Sequence, residues 1–402
     1  MKKNSIFKTV MTIITTSVIT VIITLLFLYG RSITTETGEK TIGNALKSDN
    51  LSAKLSLIKS QIDKAFYGSA DENNLEDYAV KGYVAGLNDV YSEYFTANEM
   101  QSFTEETEGS YVGIGIYLTK NTTDNQIVIY GTMKGSPAEA AGLQAGDVIT
   151  AVDGTQCTGD DYDTITTKIK GKESTKVKLT ILRNNETKEF EVERKSIEVP
   201  RVTSEMLDNK IGYIYLESFD GENVATQFKT EYESLAKQGA TTLILDLRND
   251  GGGIVDEATE IGDLFTDKDQ TLLIEKDKNG KEVTTKAKNA KEINMKVVVL
   301  VNGYSASASE ILTGIIKDDV SGATIIGTKT YGKGVIQSLY QLTDGSGLKL
   351  TTNEYFTPNH TKINGVGITP DVVVDNYTFT GKLDKTNDTQ LKKAIEVLTN
   401  NK

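Results

Sequence analysis

Two unbroken apolar runs in the second half of the chain constrain its fold more than any other feature. TTLILDLRND carries Leu243 to Leu245 without a polar break, and MKVVVLVN does the same through Val297 to Val301. A strand that is apolar on both faces has no side to give to water, so each run reads as an interior strand of a sheet covered on both sides. The first ends in Asp246-Leu247-Arg248-Asn249 and passes through Gly251-Gly252-Gly253 into the helical stretch IVDEATEIGDLF. The second leads into YSASASEILTGIIK, also helical. Upstream, IGYIYLESF alternates as a strand and 223–237 is an amphipathic helix. Strands alternating with helices imply an α/β core with a mostly parallel sheet. Between the two runs, LLIEKDKNGKEVTT reads as a hairpin turning at Asn279-Gly280. It lacks the spaced carboxylates of a calcium loop.

Composition narrows the chemistry. The 402 residues carry 44 basic and 56 acidic side chains, a net charge of −12, which argues against a nucleic-acid partner, since that would need a basic face. Cys157 is the one cysteine and His360 the one histidine. No intrachain disulfide and no Cys/His metal site can form, and no metal or other cofactor is expected. A Ser-His-Asp triad has a single candidate base. His360 reads as a surface-loop residue and Cys157 as structural.

The amino end is a membrane signal. Thr9 to Gly30 is a run of 22 residues without a charge, long enough to span a bilayer as a helix. Lys2, Lys3 and Lys8 precede it, whereas Arg31 is balanced by Glu36 and Glu39, so the positive-inside rule puts the N-terminus in the cytoplasm. The run is long for a signal peptide, and no small-x-small cleavage site follows Tyr29. Residues 1–8 are expected as a cytoplasmic tail, 9–30 as a single-pass transmembrane anchor and 31–48 as a tether. Everything beyond is expected outside the cell membrane.

Residues 49–108 form a helical region. Leu55, Ile58, Ile62 and Phe66 recur at helical spacing, and a second helix is expected from about Leu75 to Val90 with Tyr78, Tyr83, Val84 and Leu87 on its stripe. Both are expected to cover a neighbouring sheet. From Ser110 short strands and turns take over. Pro137 opens a short helix, DDYDTITTKIKG gives another, and a hairpin turns at Asn184-Asn185. With GLQAGDVITAVDG inside it, the segment 109–196 resembles a PDZ domain. That likeness implies capture of a peptide tail as an added strand, with Gly113-Ile114-Gly115-Ile116 as the loop offering amides to the terminal carboxylate. Read alone, the glycines only permit a tight strand entry.

Lys333 raises the choice of chemistry. GTKTYGK, Gly327 to Lys333, is most of a phosphate-binding loop, but Gly334 stands where Ser or Thr must follow, and VIQSLYQL alternates as a strand where a helix is needed. The phosphate-binding reading fails on both counts. Upstream, NGYSASASEIL places three serines two apart at the start of a helix. Ser307 and Glu310 have capping-box spacing, found on many inert helices. The same position suits a nucleophile, because the free N–H groups and positive end of the helix dipole can hold an oxyanion.

DLRNDGGG, SASASE, TYGKGVIQ and YFTPNHTKINGVGITPDVVV, in that order, resemble the C-terminal processing (tail-specific) peptidases from about residue 50 to the end. The resemblance implies a mixed α/β fold in which 197–380 is a ClpP/crotonase-like serine protease core with a small β subdomain, and 381–402 is a C-terminal helical segment. It implies Ser307 as nucleophile, Lys333 as general base and Gln337 as the residue that orients and hydrogen-bonds the lysine. The oxyanion hole would come from the backbone of Gly252 or Gly253 and of Ala308. It further implies protein or peptide substrates with exposed apolar C-termini. A homodimer through the helices at 51–90 and LKKAIEVL is also implied, and a regulatory partner is open. Proline commonly stands in the family where this chain has Gly251.

An ordinary lysine, with a pKa near 10.4, is charged at neutral pH and cannot accept a proton. Burial disfavours the ammonium and lowers that value. Tyr331, Gly332, Gly334 and Val335 around Lys333 bring no acid to hold the charge. The expected function is a membrane-anchored extracytoplasmic serine endopeptidase whose rate rises with pH and stays high on the alkaline side. The alternative is a catalytically inactive scaffold that only binds tails at the cell envelope.

Overall fold

The computed structural model describes residues 50–400, in two units that divide after Val80. The expected tail 1–8, anchor 9–30 and tether 31–48 lie outside the described residues. Among the described residues no helix is long and apolar enough to cross a membrane. In the first unit α1 (Leu51–Ala65) starts at Asn50, whose side chain accepts the Ser52 N–H. Helix α2 (Glu72–Ala85) runs across the division. It corrects the expected span of 75–90, because Gly86 and Asn88, at φ 55°, end the helix early. The expected cover over a sheet is corrected too. Helix α1 has no buried residue, and α2 buries only Val84 while Tyr78 and Tyr83 stay exposed.

The second unit opens with β1 (Glu93–Phe95), α3 (Ala97–Thr107) and β2 (Ser110–Gly113). A compact module follows, made of β3 (Ile116–Asn121), β4 (Gln126–Thr132), α4 (Pro137–Ala141), β5 (Val148–Val152), β6 (Thr155–Gln156), α5 (Tyr162–Ile169), β7 (Lys176–Arg183) and β8 (Glu186–Glu193). The strands pair in the order β3-β4-β5-β7-β8, which leaves β3 as an edge. Ile114, Ile127, Ile149, Ile165, Leu179 and Ile181 fill the core. Asn184 and Asn185 turn the β7–β8 hairpin at φ 52° and 63°, the sign that a two-residue turn requires there. β9 (Lys195–Glu198) pairs back on β2, so the chain enters and leaves the module side by side.

The remainder is the α/β core: β10 (Val202–Leu207), β11 (Ile211–Leu216), α6 (Val224–Lys237), β12 (Thr242–Asp246), α7 (Val255–Asp263), β13 (Thr271–Asp277), β14 (Glu282–Lys286), β15 (Lys296–Val301), α8 (Ala308–Asp319), β16 (Thr324–Gly327), β17 (Val335–Gln341), β18 (Gly347–Phe356), β19 (Val372–Val373) and α9 (Thr389–Thr399). One sheet runs β10-β11-β12-β15-β16-β19 and is parallel except between β10 and β11. Successive residues of its central strands serve two cores. Leu243, Leu245, Val297 and Val299 pack with Phe228, Ile261 and Leu312, whereas Ile244, Val298 and Leu300 pack with Leu391, Ala394 and Leu398 of α9. That is why those strands are apolar without interruption. It also corrects the use expected of LKKAIEVL, since the apolar face of α9 is covered by the chain's own sheet. The second sheet, antiparallel, runs β1-β18-β13-β14 with β17 on β18, and is the small β subdomain.

Candidate active site

β12 and β15 are parallel neighbours, so the loops leaving their carboxyl ends emerge together, the usual place for a site in such sheets. One loop is the glycine turn and the other carries the three serines. The Ala306 N–H donates to the Asp250 carbonyl at 3.0 Å. Ser305 Oγ donates to the Leu247 carbonyl at 2.7 Å, and Ser309 Oγ to the Asp250 carbonyl at 3.1 Å. Both flanking serines are 0% exposed and fasten one loop to the other. Ser307, between them, is 8% exposed and opens onto a cleft of about 610 Å³. The spacing alone could not separate three serines; the hydrogen bonds of two of them do.

Ser307 is the N-cap of α8 at φ 55° and ψ −117°. It stands in capping-box relation to Glu310, whose own N–H donates to the Ser307 carbonyl at 2.8 Å. The Glu310 carboxylate supplies the other half, accepting the Ser307 N–H at 3.1 Å. Gly252 comes so close behind that a Cβ on it would lie 2.7 Å from Ser307 Cβ, at a φ of 100° where side chains are rare. The Ser307 loop therefore requires glycine at that position.

Lys333 precedes β17 and lines the same cleft. It is half-buried. Burial first, and the Lys349 ammonium second, push it below the ordinary lysine range, while Asp220, Asp89 and Glu310 pull the other way. Its Nζ lies 4.9 Å from the centre of the Tyr91 ring. The acids come from distant parts of the chain, which corrects the expectation of an acid-free surrounding. Glu310 itself is fully buried and accepts the Gly332 N–H at 2.7 Å and the Lys333 N–H at 2.8 Å. Its carboxyl is raised by that burial, and these hydrogen bonds oppose the rise. Lys349, on β18, also lines the cleft, with Nζ 5.0 Å and 5.1 Å from the ring centres of Phe95 and Phe103 and 3.3 Å from Glu93.

The remaining expected residues are placed as follows. Gln337 lines the cleft, but its amide donates to Thr351 Oγ1 at 3.3 Å, and Lys333 is not among its hydrogen-bond partners. The Gly252 N–H is taken by Asp250 Oδ1 at 2.8 Å. The Gly253 and Ala308 N–H groups have no acceptor among the described residues. In the tail-binding loop, Ile114 is buried in the module core, with its carbonyl accepting the Ala138 N–H. Gly115, at φ 75°, passes Ser136 so closely that a Cβ would lie 2.4 Å from Ser136 Cβ. Its carbonyl takes the Met133 N–H, leaving the amides of Ile114 and Gly115 without an acceptor among the described residues. Gly113 and Ile116 close β2 and open β3 on either side. His360 is exposed and Cys157 half-buried against the module core, as expected.

Sequence reading missed Asp250, Lys349, Tyr91 and the second role of Glu310. Asp250 is 0% exposed, and its Oδ2 has no hydrogen-bond partner. Its signal was present only as one more letter of a turn.

A small β-rich module set before an α/β core with a serine loop at its sheet edge defines the class. Residues 128–183 match the PDZ domain family, and residues 210–374 match peptidase family S41. The chain belongs to that family, the C-terminal processing peptidases. It is 39% identical to "Probable CtpA-like serine protease" of Staphylococcus haemolyticus over 80% of this chain and 64% of that protein. With the protein of the same name from Staphylococcus epidermidis it shares 36% identity over 91% of this chain and 72% of that protein. The chain thus spans somewhat under two thirds of the length of the first of these relatives. Among solved structures, the photosystem II D1 C-terminal processing protease is 27% identical, covering 82% of this chain and 88% of that chain with a TM-score of 0.47.

Proposed function

We propose that this protein is a membrane-anchored, extracytoplasmic serine endopeptidase. In this reading it captures the C-terminal tails of protein substrates through its PDZ domain and cleaves them with a Ser307/Lys333 dyad. The observation that carries the reading is a serine hydroxyl opening onto the same cleft as a lysine whose proton affinity burial has lowered. Neutral Lys333 takes the Ser307 proton as Oγ attacks the scissile carbonyl, and the oxyanion forms toward the free N–H groups of Gly253 and Ala308. Lys333 then gives the proton to the leaving amine. Water attacks the acyl-enzyme with Lys333 again as base, releasing the acid and restoring Ser307. Phe103, Ile254, Val335, Ile336 and Leu339 line the cleft and suit apolar substrate side chains. The edge strand β3 is free to add a peptide strand, at whose end the Ile114 and Gly115 amides await a carboxylate. The uncharged run 9–30 supports the anchor.

The test uses the purified full chain in detergent and a peptide ending in apolar residues. Ser307→Ala and Lys333→Met are expected to lower cleavage by at least about a thousandfold, as loss of a nucleophile or its base does. A fluorophosphonate should label Ser307 and neither Ser305 nor Ser309. Cleavage by both variants at the wild-type rate rejects the dyad. Protease digestion of intact cells, followed by detection of the core, tests the orientation.

A further inference from the structure

Ser307 and Lys333 belong to different sheets. The serine follows β15 of the parallel sheet, and the lysine leads into β17 of the antiparallel one, so no strand pairing sets one against the other. Two side chains bridge them. Glu310 Oε2 accepts the N–H of Ser307 at 3.1 Å and the N–H of Lys333 at 2.8 Å. The Tyr355 hydroxyl donates to the Lys333 carbonyl at 2.6 Å and lies 3.0 Å from the Ser307 carbonyl. Both backbone polar groups of each residue therefore converge on the same two side chains, which are 0% and 1% exposed.

We propose that Glu310 and Tyr355 are positioning residues that lock the backbones of Ser307 and Lys333 together, so that hydroxyl and amine meet across the boundary between the sheets. This rests on the dyad reading above. Each group suits its half of the task. A carboxylate has only acceptors, and Glu310 also collects the Gly332 N–H and Thr330 Oγ1 at 2.5 Å. A phenol has one proton to give, and burial keeps that proton on Tyr355 well beyond the ordinary tyrosine range. The Tyr355 N–H donates to the Gly334 carbonyl at 3.0 Å, so its strand is itself fixed next to the lysine. Reaction geometry tolerates little slack: a shift of about 1 Å can lower a rate about a hundredfold.

The full-length protein is compared with Tyr355→Phe, Glu310→Gln and Ser307→Ala, reading fluorophosphonate labelling of residue 307, kcat, KM, the pH profile of kcat and thermal melting. Tyr355→Phe removes one oxygen. It is expected to slow labelling and kcat by about tenfold or more while KM stays within about twofold. Glu310→Gln turns an N–H toward backbone donors and also removes a negative charge near the lysine. Its kcat should fall at least as far, and the acid limb of its pH profile should move to lower pH, a shift that a merely structural residue would not produce. Wild-type labelling and kcat in Tyr355→Phe, or an unmoved acid limb in Glu310→Gln, overturns the proposal. If Glu310→Gln does not melt cooperatively, Tyr355→Phe decides alone. Labelling of Ser307→Ala at the wild-type rate instead rejects the dyad, and this proposal with it.

Discussion

The backbone of Ser307 lies in a region that side chains rarely occupy, at φ 55° and ψ −117°. Such conformations cost of order 1–3 kcal/mol and persist only where neighbours enforce them. Here the enforcers are visible: Gly252 behind the residue and Glu310 on its N–H. Glycine relieves that strain and alanine does not. Ser307→Gly should therefore be more stable than Ser307→Ala by about 1 kcal/mol, measured by denaturant titration at one pH. Asp250 permits a second prediction. Complete burial raises its carboxyl well above the usual range, and the Gly252 N–H only partly offsets this. A folded-state pKa above the unfolded one means that the protonated acid favours folding. The stability it contributes is full below the unfolded carboxylate range and is lost as pH rises through the raised value. Asp250→Asn should flatten this decline in melting curves taken from acid to neutral pH; equal slopes for the two proteins would contradict the assignment.

Strand β18 acts on the site through Lys349, which lines the cleft. Its Lys349 ammonium, held over two phenyl rings, is the second cause of the lowered proton affinity of Lys333. Removing that charge should let Lys333 hold its proton to higher pH. Activity that rises as the lysine becomes neutral should then have its acid limb moved to higher pH in Lys349→Met, and restored in Lys349→Arg. An unchanged limb would show that Lys349 has no electrostatic hold on Lys333. The elements themselves were largely legible in the sequence. The apolar runs of β12 and β15, the alternation of β17 and the turn at Asn184-Asn185 are local patterns, and local patterns survive folding. What could not be read was set by encounters across the chain. Glu310 looked like a helix cap and is one, but nothing near it in sequence shows that the backbone of Lys333 comes to its carboxylate. Gly252 and Gly253 were equal candidates for an oxyanion donor until Asp250 took the amide of the first. The helices at 51–85 were misread for the reverse reason. Their apolar periodicity was real, but periodicity reports a face and not the surface that will cover it.

At the scale of the whole molecule, one buried cation joins α9 to the turn that leaves β12. Arg248, in the turn that leaves β12, is 0% exposed. Its Nε donates to Asp246 Oδ1 at 2.8 Å and its Nη1 to Gln390 Oε1 at 2.8 Å. Its Nη2 is 2.7 Å from Asp388 Oδ2, a charge contact outside hydrogen-bond alignment. The guanidinium also lies 4.0 Å from the centre of the Phe379 ring. Removing one member of a buried charge cluster strands the others without water. Arg248→Leu should lose about 3–5 kcal/mol in denaturant unfolding, whereas a loss below about 1 kcal/mol would mean that the cluster is a bystander.

The partners of Arg248 at the start of α9 lie far from it in sequence, Gln390 being 142 residues away. Without α9, the guanidinium beside the glycine turn would keep Asp246 but have neither Asp388 nor Gln390. The turn that faces Ser307 is thus completed by a helix from a distant part of the sequence, and a chain cut before α9 lacks the piece that finishes it.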